Sequence, residues 1–318
     1  PQLFIYVVPV LGVAAEVVLA TARRRVFEPL AMYFTIGLVG LFGFGAWTNF
    51  AITGEGSDII DGFEGVVLVA LYGGAFLGTV GLLGLLGLAV IQNRKMPKLS
   101  TSLIAAFGAG KLVLVGAFVG LIGAAADWLE IAGRGNDGNP QLRMTTWVTG
   151  QQSVLIYGAG LLGLLAAVHW WAPKIWGRKL NEPLGLLNFL AIGGGALLAF
   201  VGPTLSGLLT EQPDFVYADP TATALYADWV DASGAEGLSA IGVAGVAILL
   251  AGVVLLLLNL FVSVGLKKGV QADDDPWGAQ SPEWMLPSPP PMGEPDELPT
   301  LTSGTPLLDS ADSEEVPI

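Results

Sequence analysis

One histidine, His169, and no cysteine stand in a chain of 318 residues, which leaves metal and redox chemistry few side chains to work with. Without cysteine there are no disulfides, thiolate metal sites or thiol nucleophiles, and the redox compartment stays open. There is no Ser/His/Asp arrangement and no His-Glu-x-x-His pair, and "GAGK" (108–111) lacks the spacing of a phosphate-binding loop. Three features remain. His169 lies in "AAVHWWAPKIWGRKLN", beside Trp170, Trp171 and a basic loop, a setting that suits a structural residue at a membrane interface with its aromatic belt. Lys111 lies about ten residues into an apolar segment, where an ionisable group is by default functional and wants a carboxylate or a water-filled cavity. Asp61 and Glu64 are its candidate partners; a snorkelling or register-shifted lysine is the other reading. Gln151, Gln152 and Ser153 sit in the middle of another apolar segment, where amides and hydroxyls hydrogen-bond across helices.

The elements that carry these residues follow from composition. Hydrophobic residues make up 53% of the chain and charged ones only 13%, with a mean hydropathy of +0.66, against about a quarter charged in soluble domains. A helix crosses a bilayer with about 20 apolar residues. Seven runs qualify, at about 2–20, 30–52, 63–91, 101–126, 147–171, 185–209 and 238–265. The expected fold is an all-α polytopic membrane protein, a bundle of about seven transmembrane helices over residues 1–270. Gly-rich runs such as "GLLGLLGLAV" and "AIGGGALLAF" predict close helix–helix approach. Eleven bases, from Arg23, Arg24 and Arg25 through Lys174, Arg178 and Lys179 to Lys267 and Lys268, fall in alternate loops; the opposite loops hold only Arg134 and Arg143. The positive-inside rule puts the basic loops and the C-terminal tail in the cytoplasm.

The net charge of −13 belongs to that tail. Residues 271–318 hold eleven acids and no base, whereas 1–270 hold 16 acids against 14 bases. Such a tail repels nucleic acid, so the lipid bilayer and other membrane subunits are the expected partners. Residues 271–291, "QADDDPWGAQSPEWMLPSPPP", read as an extended Pro/Trp strip pressed on the protein's cytoplasmic side, with a plain linker as the alternative. Residues 292–318 read as a disordered acidic tail, too polar to bury a core.

Four motifs then line up. The tail carries Pro276, Trp277, Gly278, Glu283, Trp284 and Ser288–Pro291; the fifth span exits through Trp170, Trp171, Pro173, Lys174, Gly177, Arg178, Leu180 and Asn181. The start keeps Pro1, Pro9, Gly12 and Glu16, and "FGAWTNFAITG" keeps Trp47 and Gly54. In this order and spacing the chain resembles the C-terminal half of subunit I of the haem–copper oxidases, the cytochrome c oxidase family, over residues 1–291. The resemblance implies that the chain begins midway through the family's sixth helix, as a fragment of a longer chain, in the plasma membrane of a bacterium.

The resemblance also places the family's functional residues, and here the chain departs from it. The family holds haem iron and copper with imidazoles, which suit both metals. Its tandem copper-ligand histidines fall on Asn49 and Phe50, and its His-x-His haem ligands on Gln151 and Ser153. The crosslinked tyrosine falls on Phe4, the proton-donor glutamate on Gln2, and the lysine of a second proton path near Gly78. A His-Asp pair that serves an outer metal falls on Arg143 and Met144. Phe4 has no hydroxyl, Phe50 has no lone pair, and Asn49, Gln151 and Ser153 are poor ligands for haem iron or copper, so no cofactor, no metal and no catalytic residue are expected in this chain. The resemblance therefore implies a degenerate, haem- and copper-free structural or accessory subunit of an aerobic respiratory complex, partnered by other subunits including an N-terminal half. The alternatives are an active terminal oxidase subunit whose ligands come from that missing half, and a transporter that uses the vacated cavity with Lys111 as its charge.

Overall fold

The computed structural model describes residues 2–25, 28–45, 61–92, 99–129, 142, 145–210, 235–291, 301, 303 and 305–309. Among the described residues seven long helices stand out: α1 (Gln2–Ala22), α2 (Pro29–Gly45), α3 (Asp61–Ile91), α4 (Thr101–Trp128), α5 (Trp147–Trp176), α6 (Glu182–Leu209) and α7 (Ala235–Gly265). All but α2 are long and apolar enough to span a bilayer. The described part of α2 has 17 residues, and the remainder of its expected span, 46–52, lies outside the described residues. The fold is an all-α polytopic membrane bundle, as the hydropathy runs predict.

Helix boundaries follow local chemistry. Ser100 caps α4 by accepting from the Leu103 amide at 3.3 Å, and Asn181 caps α6 by accepting from the Leu184 amide at 2.9 Å, each satisfying one orphan donor of a first turn. Gly177 ends α5 in the left-handed region, at φ 65°, where only glycine turns without strain.

α1 packs beside α4 and α5, the most enclosed of the described helices. Val7 and Val17 are fully buried and Ala14 nearly so, and α1 packs against α3, α4 and α5. At the edge, α6 and α7 form the closest pair. A Cβ on Gly195 would lie 2.5 Å from the Leu249 backbone nitrogen, and one on Gly245 would lie 2.3 Å from that of Ala199. Backbones touch there, the contact that small residues permit in lipid. The opposite faces of this pair carry Leu190, Leu209, Val243, Leu250 and Leu257, all exposed, as a bilayer solvent demands.

At the basic end, residues after α7 fold back across the helix ends. Gly269 O accepts from Arg178 at 2.7 Å, and the Lys179 amide donates to Val270 O at 2.9 Å. Residues 292–300 and 310–318, most of the acidic tail, lie outside the described residues. Of the described remainder, 306–309 form a helical turn whose Asp309 pairs with Arg25.

Candidate functional site

The positions that the resemblance assigns to haem ligands, Gln151 and Ser153, fall where α5 meets α4. Along α5, Trp147, Gln151 and Leu155 are four residues apart and project on one face. Each enters a glycine on antiparallel α4. A Cβ on Gly123 would lie 2.9 Å from Trp147 Nε1, one on Gly120 would lie 2.2 Å from Gln151 Nε2, and one on Gly116 would lie 2.4 Å from Leu155 Cγ. The polar ends are anchored as well as packed. Trp147 Nε1 donates to Val119 O at 3.2 Å and Gln151 Nε2 to Gly116 O at 3.3 Å. Gln151 is 5% exposed and Ser153 6%.

Immediately after Gln152, α5 widens into a π segment, Ser153–Ala159, before resuming as an α-helix at Gly160. A π turn inserts a residue at some cost in hydrogen-bond geometry, and such bulges concentrate at functional positions. Nothing in the run "SVLIYGA" signals it; helix period and propensity are the same on either side.

The other positions are equally filled. Phe4 is 5% exposed, and its ring lies across α2 so closely that a Cβ on Gly43 would come within 2.4 Å of Phe4 Cδ1. Gly78, near the place of the family's path lysine, faces α2 with no room for even a methyl group. A Cβ there would lie 2.9 Å from Leu38 Cβ, Thr35 O and Val39 Cγ2. Thr35 and Thr79, the hydroxyls nearest this seam, donate to their own helices, to Met32 O at 2.8 Å and Ala75 O at 2.9 Å. Asn49, Phe50, Arg143 and Met144 lie outside the described residues, as does the side chain of Gln2.

His169 is not brought to this seam. It lies sixteen residues beyond Ser153, about 24 Å along the helix. The sequence suggests a structural or interfacial residue, and the structure buries it to 2% exposure. Nδ1 is 3.1 Å from Leu165 O, so Nδ1–H donates and Nε2 faces inward. A Cβ on Gly185 of α6 would lie 2.4 Å from that Nε2, and one of the same glycine 2.7 Å from Thr101 Oγ1. The missing Cβ at Gly185 is what admits the ring.

Lys111 is exposed on the outer side of α4. Leu83 packs on Gly110 and Tyr72 on Gly120, so α3 runs antiparallel to α4 and reaches the level of Lys111 near Leu82. Glu64 is eighteen residues further along α3, about 27 Å, and Asp61 further still. The two expected partners of Lys111 are thus at the wrong end of their helix.

The densest polar packing is at the basic end, on residues 274–289. Trp277 stacks on Trp170 at 5.6 Å and 13°, Trp284 meets the same ring edge-on at 5.8 Å, and Trp277 Nε1 donates to Trp170 O at 2.9 Å. Lys174 Nζ lies 5.0 Å from the Trp284 ring and donates to Leu286 O at 2.6 Å and Asp274 O at 3.2 Å. Gln280 Nε2 donates to Leu19 O at 2.8 Å and Ser281 Oγ to Glu16 Oε1 at 2.9 Å. These contacts tie α1 and α5 together at the basic ends of the helices.

Fit to a cofactor is decided by the donors. Haem iron and copper in this kind of bundle need imidazole, thiolate or thioether ligands aimed at the metal. Gln151 spends its amide on Gly116 O, Ser153 offers a neutral hydroxyl, and Phe4 has no lone pair. Among the described residues no three His, Cys, Asp or Glu side chains group as metal ligands do. The described residues at these positions do not fit the family's metals.

Similarity to known proteins covers nearly the whole chain. The family profile "Cytochrome C and Quinol oxidase polypeptide I" matches residues 1–244. Cytochrome c oxidase subunit 1 of Bacillus subtilis is 29% identical over 96% of this chain and 45% of its own length. The Synechocystis protein of the same name is 25% identical over 96% of the chain and 50% of its own length. A heme-copper oxidase subunit I+III of Aeropyrum pernix is 30% identical over half of this chain and 18% of its own. The chain spans about half the length of the curated subunit 1 relatives it matches. On these matches, and on the bundle that bears them, the chain belongs to the haem–copper oxidase subunit I family, as an integral membrane protein corresponding to the C-terminal half of that subunit.

Proposed function

We propose that the chain is a haem- and copper-free structural or accessory subunit of an aerobic respiratory complex, with its Pro/Trp strip and tail in the cytoplasm of a bacterial cell. The observation that carries this reading is the seam at Gln151. The residue at a haem-ligand position is an amide hydrogen-bonded to the neighbouring main chain and wedged over Gly120, so it binds helix to helix where the family binds metal. Phe4 over Gly43 and the closed α2–α3 seam at Gly78 support it. A subunit that had lost oxygen chemistry would no longer need room for a path lysine.

The reading assigns this chain no catalytic residue. Its contribution is a scaffold: α6–α7 as a close pair, α4 and α5 at the centre, and the strip from Pro276 to Pro291 as a clamp over α1 and α5. A pyridine haemochrome assay with metal analysis on the purified chain tests it. The expected result is far less than one haem and one copper per chain. One tightly bound haem per chain overturns it.

A further inference from the structure

We propose that Lys111 is the docking point for a transmembrane helix of another subunit, one that carries an aspartate or glutamate at mid-bilayer depth. The proposal starts from depth. Lys111 is ten residues from Thr101, where α4 begins, and fifteen from Ala126 at the far end of its apolar span. It therefore sits about 15 Å from one interface and farther from the other, beyond what a four-carbon stem covers by snorkelling.

Direction comes next. Gly110 packs on Leu83 of α3, and Leu112 packs on Gly158 of α5. Lys111, between them, leaves the bundle and is exposed. Phe118 and Ile122, on the same face of α4, are 47% and 38% exposed. The outer stripe of α4 is apolar apart from one cation.

Charge then selects the occupant. An ammonium at the centre of a bilayer costs about 2.5–3.5 kcal/mol even on the most lenient scale. Among the described residues no ion pair to Lys111 is formed. The acids of α3 are about 27 Å away along the helix, Glu182 and Glu236 sit at the starts of α6 and α7, and Glu16 is engaged by Ser281. Lipid tails offer nothing to a cation. A carboxylate on a helix lying along the Lys111–Phe118–Ile122 stripe neutralises it at the right depth, and Phe118 and Ile122 supply the apolar contact on either side. A second copy of this chain does not qualify, because its described helices bring no carboxylate to that level. The inference rests on the proposed function only in placing the chain inside an assembly. Haem content does not enter it, so a haem-bearing preparation would refute that function and leave this proposal standing.

The test uses the full chain in its native membranes, with a photo-crosslinking side chain at Phe118. The expected adduct is a transmembrane peptide of another protein that contains Asp or Glu. Its yield falls about tenfold in Lys111→Met, holds in Lys111→Arg, and returns in Lys111→Glu when the partner's acid is changed to lysine. Lys111→Met removes a charge from lipid, so the purified variant keeps its melting temperature in detergent, and loss of the adduct is then not loss of the fold. Adducts with lipid alone, a homodimer adduct, a partner helix without an acid, or an unchanged yield in Lys111→Met would each overturn the proposal.

Discussion

The two ends of α5 are built on different principles. Where Trp147, Gln151 and Leu155 enter the glycines of α4, side chains fill places where even a Cβ would clash, with two hydrogen bonds to α4 carbonyls beside them. At the other end, Trp170 and Lys174 are held by rings, carbonyls and a folded-back strip. The first end carries Gln151 and Ser153, where the resemblance expects the family's haem ligands. The second carries the family's motif nearly intact. One end is thus closed by side chains seated in glycine gaps, the other by a strip laid over it.

That contrast can be broken by measurement. The largest effect belongs to Trp284→Ala. The side chain is 2% exposed against Trp170 and Lys174, and truncating a buried aromatic costs about 3–5 kcal/mol. Denaturant unfolding of the detergent-solubilised chain should show it, and a cost under about 1 kcal/mol would reduce the strip to a linker. At the glycine end, Gly120→Val is expected to cost about 1–3 kcal/mol by overpacking, because its Cβ meets both Gln151 Nε2 and the Tyr72 ring, the latter at 2.8 Å. Wild-type stability in that variant would show that the α4–α5 seam is loose enough to admit a cofactor edge.

Smaller effects sharpen the picture. Lys174→Met leaves the Leu286 and Asp274 carbonyls without their donor and removes the charge over Trp284, with an expected loss of about 1–3 kcal/mol. Proteolysis of the strip should accelerate in step. Gln151→Leu is the mildest. It gives up one interhelical hydrogen bond, worth on average about 0.6 kcal/mol in a membrane bundle, and keeps the volume. A melting temperature that drops by more than Trp284→Ala produces would mean that Gln151 does more than bridge two helices.

How far the sequence reached depends on the kind of interaction. Hydropathy runs place the helices, because burial in lipid is a property of each segment by itself. The family is legible because Trp170, Trp171, Pro173, Gly177 and the Pro276–Pro291 strip recur at fixed spacing. Pairwise geometry is less accessible. The π segment after Gln152 depends on how α5 settles between α4 and α6, and no residue in "SVLIYGA" announces it. His169 reads as structural or interfacial from its aromatic neighbours, and a glycine sixteen residues later, Gly185, opens the space that buries it. Lys111 has plausible partners in Asp61 and Glu64 until the register of α3 on α4 sends both to the far end. In each case the deciding residue lies on another helix, at a level fixed only by packing.

The tight contact at Gly78 has a consequence for bioenergetics. With Thr35 O, Leu38 Cβ and Val39 Cγ2 crowding the place a side chain on Gly78 would take, the two helices leave little room for a file of water molecules beside that glycine. Hydrogen ions need such a file, or a chain of titratable groups, to cross hydrocarbon.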